Sequence, residues 1–170
     1  MRVAGKKRHC IDEGYFTGVA EHDGSLYAVD DDIRVYEQAG GWKECRRFDL
    51  GCGSQTITIS IHDTMMYVCL YGDSKLLAYS LSGKQLGSWG SKGEEEVGEL
   101  DHPYLCMTGT GGAVLIADTD NDRLQVLNAD RKWSVVSLQP DVWRPKSALI
   151  HCGRLLVASG DTTLYVYDPK

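Results

Sequence analysis

Apolar residues in this chain come in runs of four to six, rich in Val, Ile, Tyr and Leu, separated by clusters of Gly, Asp, Asn and Ser. No window of eleven or more residues keeps apolar positions at i, i+3, i+4 and i+7 without such a cluster breaking it, so the pattern predicts strands and almost no helix. The runs 26–30, 66–70, 114–118 and 155–159 superimpose without gaps, with Tyr27, Tyr67, Leu115 and Leu156 in register and 40, 48 and 41 residues apart. A polar turn and a second run follow each one, at 33–36, 76–79, 124–127 and 164–167, and a third run precedes it, at 18–20, 56–60, 104–107 and 147–150. An outer strand follows three of the four units, at 42–48, 84–89 and 132–138.

A period of 40 to 48 residues with three or four strands per unit is that of a β-propeller blade, because one such sheet cannot bury its two faces alone and must stack on its neighbours. The fold expected is all-β, one domain of four blades at 14–51, 52–93, 94–139 and 140–170 plus 3–13. Residues 6–14 match residues 43–51 at an offset of 37, placing Ile11-Asp12 over Phe48-Asp49 and Gly14 over Gly51, so the N-terminal strand is expected to complete the last blade and close the ring. The alternative is an open part of a six-bladed ring, or one completed by a second copy: a monomer if closed, a homodimer if open. Tyr27, Val29, Tyr67, Cys69, Ile116, Val157 and Val166 are the expected core.

The third unit carries the most specific pattern: Gly98-Glu-Leu-Asp-His-Pro103, then a strand ending in Ala117-Asp118, with Asn121 and Arg123 before the next apolar strand. This resembles the NHL repeat over about 35 residues. The first unit keeps Asp30 and Arg34; the second has Leu70 and Lys75 there, and the fourth Ser159 and Thr163. The chain thus resembles a degenerate NHL propeller, such as those that end tripartite-motif ubiquitin ligases. That resemblance implies a non-enzymatic module that recognises a protein partner through its loop face, here Tyr71, Asp73, Lys75, His102, Tyr104, Asp120, Asn121, Arg123 and Asp161.

Charge bears on the class of partner. The 18 basic and 24 acidic residues give a net charge of −6, which disfavours the RNA-binding role that some NHL propellers have, since phosphate binding draws on a basic surplus. No apolar run reaches the length of a membrane-spanning helix. The basic start has no apolar stretch behind it and none of the six cysteines forms a Cys-x-x-Cys pair, so a cytoplasmic, reduced protein is expected, with Cys69 and Cys106 acting as small hydrophobes.

Asp118, Asp120 and Asp122 alternate like calcium ligands, but the Gly and distal Glu of an EF-hand loop are missing, and turn structure is the plainer expectation. His22, His62 and His151 each stand five residues before the aligned strand position, which puts them at the same hairpin of three blades. A zinc site there would suit a metal-dependent lyase or hydrolase, a class the arrangement resembles in the amidating-lyase propellers. There is no Gly-x-Ser-x-Gly elbow, Walker loop or dinucleotide fingerprint, and Gly109-Thr-Gly-Gly112 reads as a hairpin turn. Catalytic residues and cofactors are therefore expected to be none. Trp42, Trp89, Trp133 and Trp143 fall in outer strands or connections, where exposed rings would serve a protein-binding or lectin role.

Overall fold

The computed structural model describes residues 10–38, 40–51, 57–139 and 141–168. Four antiparallel sheets follow one another along the chain. Sheet one contains β1 (Gly18–His22), β2 (Ser25–Val29), β3 (Asp32–Glu37) and β4 (Lys43–Asp49), and sheet two β5 (Ile57–His62), β6 (Met65–Leu70), β7 (Lys75–Ser80) and β8 (Gln85–Trp89). A short parallel pair, β9 (Ser91–Lys92) and β10 (Glu99–Leu100), lies in the connection to sheet three. Sheet three contains β11 (Pro103–Thr108), β12 (Val114–Asp118), β13 (Arg123–Leu127) and β14 (Trp133–Val136). Sheet four has three strands, β15 (Pro145–His151), β16 (Arg154–Ser159) and β17 (Leu164–Tyr167).

The repeat seen in the sequence is a repeat of pairing register. Tyr27 stands opposite Val35, Tyr67 opposite Ala78, Leu115 opposite Val126 and Leu156 opposite Val166. Tight turns hold that register: Asp23-Gly24 and Cys152-Gly153 both have two consecutive positive φ values, the geometry whose twist matches a two-residue hairpin. Gly109-Thr-Gly-Gly112 does form the β11–β12 connection, with a short 3-10 turn at Thr110–Gly112.

Because successive side chains point to opposite sides of a strand, each sheet has one face toward the preceding sheet and one toward the next. Tyr27, Val29, Ile33 and Val35 of sheet one pack on Met66, Val68, Leu77 and Tyr79 of sheet two. The other face of sheet two, Tyr67, Cys69, Leu76 and Ala78, packs on Val114, Ile116 and Leu127 of sheet three. Sheet three then turns Leu115, Ala117 and Leu124 toward Ala148 and Val157 of sheet four. Each fully buried aliphatic side chain in these layers contributes roughly 1.5–3 kcal/mol relative to exposure.

Three apolar layers therefore join four sheets, and among the described residues none joins the fourth to the first. This corrects the expectation for Val166, which is 54% exposed because it lies on the side of sheet four that no further sheet covers. Most of the expected closing strand at 3–13 lies outside the described residues. Its described end, from Cys10 to Glu13, lies against sheet one, where Tyr36 Oη donates to Asp12 Oδ2 at 2.7 Å and Arg34 Nη1 lies 2.9 Å from the same oxygen. Among the described residues no helix is long and apolar enough to cross a membrane.

Candidate functional site

The turn between β12 and β13 is organised by Asp118, fully buried at the end of β12. Its Oδ1 accepts the Asp101 N–H at 2.7 Å, and its Oδ2 accepts from Asn121 Nδ2 at 2.9 Å, Arg123 Nε at 2.8 Å and Gln125 Nε2 at 2.8 Å. The same donors reach onward: Arg123 Nη2 to the carbonyls of Glu96 and Glu99, Gln125 Nε2 to that of Glu99, and Asn121 Nδ2 to that of Gly93. A buried carboxylate is costly unless charge and hydrogen bonds compensate it, and here both do, so the network pins the long connection 90–102 onto sheet three. Gly98 is required inside it: its φ is +94° and a Cβ there would stand 2.6 Å from Trp133 Cδ1.

Asn121 and Arg123, expected on the binding face, are therefore framework residues, and Arg123 keeps only 16% of its side chain exposed. Asp120, between them in the turn, points the other way. Its Oδ2 lies 2.6 Å from His102 Nδ1 and its Oδ1 2.5 Å from Arg144 Nη2. Asp101 Oδ1 lies 3.2 Å from the same imidazole nitrogen. With a carboxylate on each side, the favoured tautomer is the one in which that nitrogen carries the hydrogen and donates to Asp120.

The two groups that grip Asp120 occupy the same place in successive sheets. Leu100-Asp-His-Pro103 and Val142-Trp-Arg-Pro145 match at an offset of 42: Leu100 and Val142 are buried anchors, and Pro103 and Pro145 begin the inner strands β11 and β15. His102 and Arg144 have φ of +50° and +45°, an uncommon conformation for a side-chain-bearing residue and doubly so before proline. Such strain is held by its surroundings: Asp122 Oδ1 accepts the Arg144 N–H at 2.6 Å, and Gly160 donates to the Arg144 carbonyl at 2.9 Å.

Aromatic rings flank this cluster. Tyr71, just after β6, lies 4.4 Å from the His102 ring and 5.3 Å from the Tyr104 ring, centroid to centroid. The Arg144 guanidinium lies 5.8 Å from the ring of Trp143, which is 51% exposed. Burial, followed by the Tyr71 phenol, pushes the Tyr104 phenol above its ordinary range, so it stays a neutral hydrogen-bond donor. The result is a cluster drawn from sheets two, three and four, in which aromatic rings stand beside a His–Asp–Arg chain.

Of the nine residues expected on this face, Tyr71, His102, Tyr104 and Asp120 come together. Asp73 and Lys75 stand exposed at the β6–β7 turn, and Asp161 sits in the β16–β17 turn accepting from Thr163 N at 3.0 Å. Sequence reasoning did not single out Asp101 or Arg144 and offered Trp143 only as one of four tryptophans in outer strands or connections; the offset of 42 between the two proline-led segments was the signal that could have joined them.

The histidine ring is not formed. His22, His62 and His151 do close the same hairpin of three sheets, opposite Ser25, Met65 and Arg154. Their ligand atoms do not gather within 4.8 Å, and His22 and His62 instead face their own neighbours Asp23 and Asp63 at 3.4 and 3.5 Å. Asp118, Asp120 and Asp122 are no calcium loop either, since protein donors already occupy each carboxylate. Among the described residues the one group of His, Cys, Asp and Glu close enough to share a cation is Asp101, His102 and Asp120, within 4.8 Å of one another. Among the described residues five cysteines are free thiols; burial raises the Cys69 thiol strongly and the Cys106 thiol to about 12, which makes both inert.

No protein-family model and no curated protein matches the chain. Solved structures do. A streptogramin B lyase is 15% identical with a TM-score of 0.63, over 91% of this chain and 54% of its own. BamB from Moraxella catarrhalis is 17% identical with a TM-score of 0.61, over 89% and 44%. The computationally designed Ika4 protein is 12% identical with a TM-score of 0.64, over 98% of this chain and all of its own. The chain thus spans about half the length of the lyase and of BamB. At these identities the likeness speaks for architecture alone, and together with the four sheets stacked face to face it makes this a protein of the β-propeller type.

Proposed function

We propose that the chain is a recognition module whose cluster of Tyr71, His102, Tyr104, Asp120, Trp143 and Arg144 binds a segment of a protein partner. The observation that supports this best is the grip of His102 and Arg144, from two successive sheets, on one exposed carboxylate beside the half-buried rings of Tyr71 and Tyr104 and the exposed ring of Trp143. Rigid aromatic walls around a few fixed polar groups are the composition of interface hot spots. The acidic rim of Glu94, Glu95 and Glu96, all exposed, and the net charge of −6 favour a segment carrying Lys or Arg beside an apolar residue, and disfavour RNA. The non-enzymatic, NHL-type character of the module is part of this proposal.

Selection of a random peptide library on the immobilised protein tests it. The expected result is an enriched basic and apolar consensus whose affinity falls roughly thirtyfold, about 2 kcal/mol, in Tyr71→Ala and in Arg144→Ala. Enrichment of no consensus, or peptides that bind the two variants as well as the wild type, would overturn it.

A second reading draws on the His102–Asp120 pair alone. An imidazole whose Nδ1 is oriented by a carboxylate can accept a proton at Nε2, the acid–base step that lyases and hydrolases use. It predicts turnover of a streptogramin B substrate that is abolished in His102→Ala, and absence of that turnover removes this reading while leaving the first intact.

A further inference from the structure

The two end faces of the stack are unequal to every internal face, and the inequality falls on matched positions. Ile33, Leu76 and Leu124 begin the third strand of sheets one to three and are fully buried; their counterpart Leu164 in sheet four is 63% exposed. Val35 and Ala78 are fully buried, and their counterpart Val166 is 54% exposed. Leu149, on the same side through its pairing with Leu156, is 48% exposed. At the other end, Val19 stands opposite Ala28 as Ile59 stands opposite Val68, Leu105 opposite Ile116 and Ala148 opposite Val157. Ile59, Leu105 and Ala148 all pack into a layer between sheets, whereas Val19 is 66% exposed. A cavity of about 380 Å³ opens beside it, lined by Ile11, Phe16, Leu26, Ala28 and Tyr36 among others.

The exposed side of sheet four is thus the side that in sheets one to three receives the next sheet, and the exposed side of sheet one is the side that in sheets two to four is received. We propose that a second copy of this chain covers both: sheet one of each copy packs on sheet four of the other, extending the packing already repeated three times and closing a ring of eight sheets about a two-fold axis. The stack matches 54% of a streptogramin B lyase and the whole of the designed Ika4 protein, with TM-scores of 0.63 and 0.64, so a stack of this kind occurs both within a longer chain and as a chain of about this length. On sheet one the segment from Cys10 to Phe16 and the Arg34 ion pairs cover the part of this side around Tyr36, while Val19 and the cavity beside it stay open; apolar surface left open in this way would invite uncontrolled association.

Sedimentation equilibrium of the full chain tests this, with the expected mass twice 18.8 kDa. Leu164→Glu and Val19→Glu, each at a position already more than half exposed in the single chain, are expected to keep their far-ultraviolet circular dichroism and to sediment as monomers. Mixing the two restores a dimer with at least tenfold tighter association than either variant alone, because one of the two interfaces is then undamaged. A wild-type mass of 18.8 kDa, whether the ring closes on itself or another protein covers it, overturns the proposal. So does a dimer that survives both substitutions, since its contact would lie elsewhere.

Discussion

Asp118 and Asp120, two residues apart in one turn, divide the work of sheet three. The first accepts from three side chains and one backbone amide inside the protein; the second faces outward between His102 and Arg144. Removing the first strips Arg123 of its carboxylate and takes an acceptor from Asn121, buried Gln125 and the Asp101 amide, so Asp118→Ala is expected to lower unfolding stability by about 3–5 kcal/mol, read from urea denaturation midpoints. Asp161→Ala, at an exposed turn, is expected to stay within about 0.5 kcal/mol. The sequence placed Asp118, Asn121 and Arg123 at a turn correctly but could not tell framework from surface, because spacing in a turn does not say which way each side chain points. The resemblance to the NHL repeat rests on those same residues, so in this chain its signature is a folding device for the connection 90–102.

Among the elements, the segment from Cys10 to Phe16 shows how local chemistry fits an end face. The pairing register aligns Arg34 with Leu77, Gln125 and Tyr165 of the later sheets and not with Arg123, and Arg34 pairs with Asp12 and Asp30 while lying 5.1 Å from the Phe16 ring. Desolvation, then the Asp12 carboxylate, pushes the Tyr36 phenol up to about 12. Its neutral form is favoured in the folded state, so this contribution to stability is complete below about pH 10 and is lost as pH rises through about 12. Absorbance titration should show a tyrosine step near pH 12 that moves part of the way down in Asp12→Asn, burial holding the remainder, while the raised Tyr104 step stays in place; an unchanged titration would refute the contact. Gly98→Ala is expected to cost at least 1 kcal/mol, through positive φ and the clash with Trp133, measured by thermal denaturation.

The whole molecule was legible wherever one rule repeated. Period-two apolar runs and turn residues revealed four sheets, because every internal sheet meets the same demand on both faces. The rule failed at the ends: Val166 has the core pattern of Val35 and Ala78 but no neighbour to cover it. It failed also for the cluster, since Tyr71, His102 and Arg144 come from three different sheets and only the stacking brings them together. The proposed binding site for a partner segment is this cluster, and not the opposite rim of hairpins. Hydrogen exchange of the full chain with and without the selected basic peptide tests that claim most directly. Protection confined to residues around 71, 101–104, 120 and 143–144 is the predicted result, and protection centred on the hairpins at 22–25, 62–65 and 151–154 would contradict it.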